Sequence, residues 1–240
     1  MLLPLRPPDY QPRVIIAGGN NPAPLSSAEI IDLAAPAPAW QALPDMNHPR
    51  GNLTAVLLPT GEVFVAGGLT GGGDGGPAEI LDVESAAPAW QVGPIMTYER
   101  AYHSSFLLLA DGSVLGGGDP AREPDGSPTP HERFFPAYFD MPRPEITNAP
   151  NDVAYGQPFT IDTPHGNDIV EVIVMRPGAV THGFNMTQRA VECVITGSAA
   201  GSVDVEAPPG ARIAPPGWYL LFVLSGLRVP SVGRWIRVAP

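Results

Sequence analysis

A repeat of about fifty residues governs what this chain can become. VIIAGG (14–19) returns as VFVAGG (63–68) and as VLGGG (114–118); AEIIDL (28–33) returns as AEILDV (78–83), and APAWQALP (37–44) as APAWQVGP (87–94). Within each copy the apolar runs are about four to six residues long and end at Gly, Pro, Asn or Asp, which makes them strands and not helices. That spacing matches a kelch unit, one blade of four short antiparallel strands in a β-propeller. The 27 glycines and 31 prolines among 240 residues punctuate these runs instead of forming low-complexity tracts, as a chain of many strands and turns requires.

Residues 1–125 supply two such units and part of a third, whereas a closed propeller takes roughly four to eight blades. Open blade flanks expose unpaired faces that must be covered. Three arrangements satisfy this: the chain is a piece of a longer one, its copies self-associate, or its terminal domain folds against the open side. After the polar, proline-rich stretch GGGDPAREPDGSPTPHER (116–133), with 126–141 read as a connector, the repeat stops. Strands are then predicted near 158–161, 170–175, 190–195, 203–206, 218–224 and 235–238, at the spacing of a sandwich. The expected fold is all-β: a partial kelch-type propeller of two to three blades over 1–125, then an immunoglobulin-like β-sandwich over 142–240.

Charge narrows the partners. All 13 cationic residues are arginines, and against 24 acids they leave a net charge of -11 without a basic cluster, which excludes a nucleic-acid partner. No run approaches the roughly 18 apolar residues that span a bilayer. The start, MLLPLRPPDYQPR, lacks the pattern of a signal peptide, so the protein is either cytosolic or begins inside a longer chain. The single cysteine, Cys193 in AVECVI, excludes an internal disulfide and alternates with Val191 and Ile195 as a buried thiol.

One difference between the repeats carries chemistry. MNHPRGNLTAVLLPTGEVFVAGG (46–68) and MTYERAYHSSFLLLADGSVLGGG (96–118) share a frame of Met, Arg, apolar run and terminal glycines. Counted from the arginine, the first has Asn52 and Leu53 where the second has Tyr102 and His103. Successive side chains in a regular strand point to opposite faces, so this pair meets one ligand only at the start of a strand or at a bulge. The alternative is a hydrogen-bonded blade contact. His48, His131 and His165 sit in turn-like contexts that suit solvated or capping roles. Tyr10 reads as an inter-blade anchor, and Asn185, Gln188 and Arg189 as loop-fixing groups. No nucleotide-binding or hydrolase motif is present.

The combination of RAYHSS with LLADGSVLGGGDP, then RPEI, YGQPF, MRPGAVTHGFNMTQR (175–189) and PPGWYLLFVLSGLRVPSVGRWIRV resembles the C-terminal part of the galactose oxidase and glyoxal oxidase group, the copper radical oxidases. The resemblance covers nearly the whole chain. It implies extracellular oxidases with one copper ion on the propeller axis, held by two tyrosines and two histidines. Here it implies Tyr102 as the axial tyrosine and catalytic base, His103 as its neighbouring ligand, and His182 as the ligand from the early set domain. The implied reaction converts a primary alcohol or aldehyde, including carbohydrate, with O2 to give H2O2.

The carry-over stops at the second tyrosine, which in the family is cross-linked to a cysteine, stores a radical and lies far upstream of the Tyr-His pair. Only 101 residues precede Tyr102 and none is cysteine, so the Tyr-Cys cofactor is expected to be missing from this chain. The alternative reading is a non-catalytic propeller and sandwich module that binds glycan or protein.

Overall fold

The computed structural model describes residues 1–69, 76–118 and 130–240. Three antiparallel sheets follow the repeat. The first runs β1 (Arg13–Ala17), β2 (Ala28–Asp32), β3 (Gln41–Leu43); the second β4 (Thr54–Leu57), β5 (Val63–Ala66), β6 (Pro77–Leu81), β7 (Gln91–Ile95); the third β8 (Ser105–Leu108), β9 (Val114–Gly117), β10 (Glu132–Phe134). Residues 1–5 add a partial fourth strand to the first sheet, where Leu2 bridges Val14 as Leu57 pairs Val63 in the second. The boundary expected at 125 lies outside the described residues. The stretch read as a connector, 126–141, contains β10, which pairs with β9 and completes three strands of the last blade. Its proline-rich, polar surroundings hide a strand that is held from outside its own sequence, by contacts to Glu132.

Those contacts are a latch that recurs between blades. The Arg50 guanidinium is fully buried and donates to the carbonyls of Gly67 and Pro77 and to the Glu79 carboxylate, 3.0 Å away. Arg100 does the same with the carbonyls of Gly118 and Pro130, and lies 3.5 Å from Glu132. Each arginine also offers its own carbonyl to the preceding blade: Gly19 N–H donates to Arg50 at 2.9 Å and Gly68 N–H to Arg100 at 2.7 Å. This approach explains the repeated glycine pair. Gly18 at φ +66 and Gly67 at φ +68 leave no room for a Cβ, which would stand 2.4 and 2.6 Å from those two carbonyl oxygens.

The second unit is a seven-stranded sheet in the order β11 (Asp152–Ala154), β19 (Arg234–Ala239), β18 (Gly217–Ser225), β13 (Ile169–Arg176), β16 (Arg189–Ala199), β17 (Ser202–Glu206), β12 (Pro158–Asp162). The six predicted strands are all present; β11 and a two-stranded hairpin, β14 (Val180–Thr181) and β15 (Phe184–Asn185), were not foreseen. The register of β16 against β17 shifts between Ile195 and Gly197, which bends the sheet over a closed core.

The runs IVEVIVM and YLLFVL are apolar at nearly every position because β13 and β18 are buried on both faces. Val172, Val174, Leu221 and Val223 point into the sandwich, with Cys193. Ile173, Met175, Leu220, Phe222 and Leu224 point the other way and share a core with Leu57, Val63, Val65 and Leu81 of the second blade. The terminal domain therefore does fold against the blades. Leu5 joins the units through its backbone, donating to Ala190 and accepting from Glu192, both at 3.0 Å. Tyr10 packs against the sandwich core, not between blades as the sequence suggested, because residues 1–10 run from the first sheet onto the terminal domain.

Candidate metal centre

Tyr102 and His103 lie on a turn immediately before β8, the strand start that a shared ligand requires. The turn is one residue longer than its counterpart. Thr54 pairs Ala66 and Ser105 pairs Gly117 at equivalent places, yet Thr54 follows Arg50 by four positions and Ser105 follows Arg100 by five. The extra residue lets the backbone turn and present both rings on one side.

His182 arrives from the terminal domain on the β14–β15 hairpin. His182 at φ 52 and Gly183 at φ 78 form its two-residue loop, and positive φ at both central positions is the turn whose twist matches a hairpin. The hairpin lies against β4 and β8. A Cβ on Gly183 would stand 3.0 Å from the Leu53 carbonyl oxygen and 3.3 Å from Asn52 backbone atoms. The sister positions of the Tyr-His pair thus have a task of their own: Asn52 and Leu53 seat the hairpin whose histidine faces Tyr102 and His103.

Two side chains of the same segment fix it. Gln188 Oε1 accepts from Leu57 N–H at 2.6 Å, satisfying an edge donor of β4, and its Nε2 reaches the Ala55 carbonyl at 3.4 Å, as does Asn185 Nδ2. Arg189 donates to the carbonyls of Arg212 and Ile213. The loop-fixing roles read from sequence for Asn185, Gln188 and Arg189 are these contacts.

Three rings from two chain segments converge. Centroids are 4.5 Å apart for Tyr102 and His103, 5.3 Å for Tyr102 and His182, and 4.9 Å for His103 and His182. All three residues are exposed, so a small ligand reaches them without opening the fold. Thr181 Oγ1 lies 2.6 Å from His182 Nδ1; with Nδ1–H donating to the hydroxyl, Nε2 presents its lone pair. Neither Thr181 nor Gly183 was assigned a role from sequence, although His-Gly between Val-Thr and Phe-Asn is a two-residue hairpin signal.

The remaining histidines stay outside the cluster. His48 donates its backbone N–H to Glu79, His165 precedes a short 3-10 turn, and His131 is exposed. Cys193 is 1% exposed in the sandwich core, and burial, with the Glu192 charge adding to it, pushes its thiol up to about 12. Among the described residues no group of three His, Cys, Asp or Glu side chains is placed to hold a metal ion. Beyond the hairpin, a cleft of about 350 Å3 is walled by Ile16, Val65, Leu53, Phe184, Met186 and one side of His182.

The family described as galactose oxidase-like, early set domain matches residues 143–238. Aldehyde oxidase GLOX of Vitis pseudoreticulata is 30% identical over 92% of this chain and 47% of its own length. Residues 143–238 are a galactose oxidase-like early set domain, and the chain as a whole is similar to glyoxal and galactose oxidases. Galactose oxidase of Gibberella zeae is 30% identical over 77% of the chain and 29% of its own length. A fungal alcohol oxidase of the AA5 family, solved in complex with copper, superposes with a TM-score of 0.75 at 24% identity, over 95% of this chain and 52% of the other. The galactose oxidase-like chain thus spans about half the length, or less, of the relatives it matches. No helix among its described residues is long and apolar enough to cross a membrane.

Proposed function

We propose that Tyr102, His103 and His182 hold one Cu(II) ion and that the site serves the oxidation of a primary alcohol or aldehyde. The convergence of the three rings carries this reading. Two imidazoles and a phenol are an N,N,O donor set, which suits Cu(II). When bound, copper supplies one-electron redox chemistry and acidifies a hydroxyl that it binds.

The chain's own residues do the rest. Tyr102 Oη accepts the substrate's hydroxyl proton, the Thr181 hydroxyl keeps the His182 ring in one orientation, and Gln188 holds the hairpin to β4. We further infer that the Tyr-Cys radical store lies outside this chain, since Cys193 is enclosed in the sandwich core. Turnover then needs residues beyond these 240.

Copper titration followed by electron spin resonance tests the site. About one Cu(II) binds the wild-type chain with a nitrogen-ligated spectrum, and His182→Ala lowers the affinity and changes the spectrum; identical behaviour of the two proteins refutes the assignment. A peroxidase-coupled assay on the copper-loaded chain tests the second inference: no H2O2 forms from galactose, glyoxal or methylglyoxal. Copper-dependent peroxide at enzymatic rates, lost in Tyr102→Phe, would show that the radical store is not required.

A further inference from the structure

We propose that Arg6, Glu171, Glu192 and Arg228 form a proton-operated clasp where the blades meet the terminal domain, tightened by proton uptake at Glu171 in mild acid and loosened as pH rises. The surface that the two units share is built largely of apolar side chains, Ile173 and Met175 of β13 and Leu220, Phe222 and Leu224 of β18 among them. Glu171 stands two positions before Ile173, on the same face of β13, and only 7% of it is exposed. A carboxyl group in such a place needs partners.

Three segments bring charge to it. Arg6, on the segment that pairs with β16, has Nη1 3.0 Å from Glu171 Oε1, and the same nitrogen donates to Glu192 Oε2 of β16 at 2.5 Å. Arg228, on the loop after β18, has Nη2 3.9 Å from Glu171 Oε2 and donates it to the Thr60 carbonyl of the second blade. A Cβ on Gly61 would stand 3.0 Å from Arg6 Nη2 and 3.7 Å from Arg228 Nη2, so both guanidiniums lie against one turn of that blade. The turn itself, residues 58–61, and the neighbouring strand β18 carry no charged side chain. The clasp therefore joins the blades to β13 and β16, the two strands between which the His182 hairpin projects.

One guanidinium nitrogen thus serves two carboxylates inside a poorly hydrated junction. Among the described residues, Glu171 Oε1 and Arg6 Nη2 are buried without an aligned hydrogen bond. Two carboxylates that share a site do not both ionise freely. Burial raises the Glu171 carboxyl above its ordinary 4.5, and the Glu192 charge adds to the rise against the opposing pull of Arg6 and Arg228. When Glu171 takes a proton from solvent, Arg6 is left to Glu192, and the junction no longer encloses an under-bonded charge. The folded chain binds this proton at higher pH than the unfolded chain does. The stabilisation is therefore full below about 4.5 and lost as pH rises through the folded value. This inference stands independently of copper.

Carboxyl-carbon NMR on the full chain, with Glu171 assigned by through-bond correlation, reads the proton directly. A titration midpoint above 4.5 is expected, and one at or below 4.5 overturns the proposal. Hydrogen exchange reads the clasp, because the Leu5 and Glu192 amides donate to the Ala190 and Leu5 carbonyls across the junction. Their protection factors should fall between about pH 4.5 and pH 7.5, by up to about tenfold for each unit of that midpoint above 4.5. Glu171→Gln should abolish the fall. An equal fall in Glu171→Gln, or none in the wild-type chain, refutes the clasp. Should Glu171→Gln fail to fold, Glu192→Gln decides: removing the neighbouring charge should lower the Glu171 midpoint, and an unchanged midpoint means that the two carboxyl groups do not share one site.

Discussion

At the residue scale, the orientation of one imidazole is decided by one hydroxyl. Thr181 lies beside His182 in sequence but on the strand side of the loop, and its Oγ1 sits 2.6 Å from Nδ1. Groups that orient a ligating histidine through its second nitrogen are typically worth about 10–100-fold in metal affinity. Thr181→Val is therefore expected to weaken copper binding by about that factor. Because Thr181 is exposed, the same substitution should leave stability within about 0.5 kcal/mol of wild type. Copper titration and thermal melting on one preparation separate the two effects. A stability loss that tracks the affinity loss would mean that Thr181 supports the hairpin and does not orient the ring. Gly183 marks the opposite case, where the absence of a side chain matters: its φ of +78 and its approach to the Leu53 carbonyl leave no alternative residue unstrained.

At the element scale, blades are joined by buried charge as much as by apolar contact. Glu79 and Arg50 are both 0% exposed. Burial raises the Glu79 carboxyl, but hydrogen bonds from the Asn47 side chain and backbone, together with Arg50, outweigh it and hold the group below its ordinary 4.5. Desolvation lowers the Arg50 guanidinium in turn. Removing one member of a buried pair strands the other, at about 3–5 kcal/mol. Arg50→Ala is expected to cost about that much by denaturant unfolding. The pH dependence has a definite sign. With the folded value depressed, the unfolded chain takes up the proton first as pH falls below about 4.5, so the contribution of Glu79 is full above that value and lost as pH drops through the folded one. Glu79→Gln should flatten the stability curve in that acid window while lowering it at neutral pH. A curve parallel to wild type would mean that Glu79 is not what acid attacks.

At the scale of the whole molecule, blades and sandwich share an apolar cluster, with Phe222 and Leu224 of β18 and Val63 and Leu81 of the second blade among its members. Neither unit can lose its fold without exposing that surface. Thermal unfolding is expected as one transition, with far-ultraviolet circular dichroism and calorimetry giving the same midpoint. Two separated transitions would show that the shared cluster contributes little. The same sharing implies that residues 142–240 expressed alone present Ile173, Met175, Leu220, Phe222 and Leu224 to water, a patch that ordinarily leads to association.

By itself the sequence determined the strand content, the blade repeat and the Tyr-His departure, because each is written in local periodicity: short apolar runs, turn glycines, and two copies to compare. It placed the six main strands of the sandwich for the same reason. The strand β10 escaped because its ordering comes from Arg100 and from two distant amides that donate to Glu132, not from its own composition. Tyr10 was misplaced because the path of residues 1–10 onto the terminal domain is set by backbone pairing with β16, which no local pattern encodes. The meeting of Tyr102, His103 and His182 belongs to the tertiary structure alone. It depends on one extra residue before β8, a left-handed turn at 182–183, and the backbone of Asn52 and Leu53 as its seat, which are contacts between segments up to about 130 positions apart.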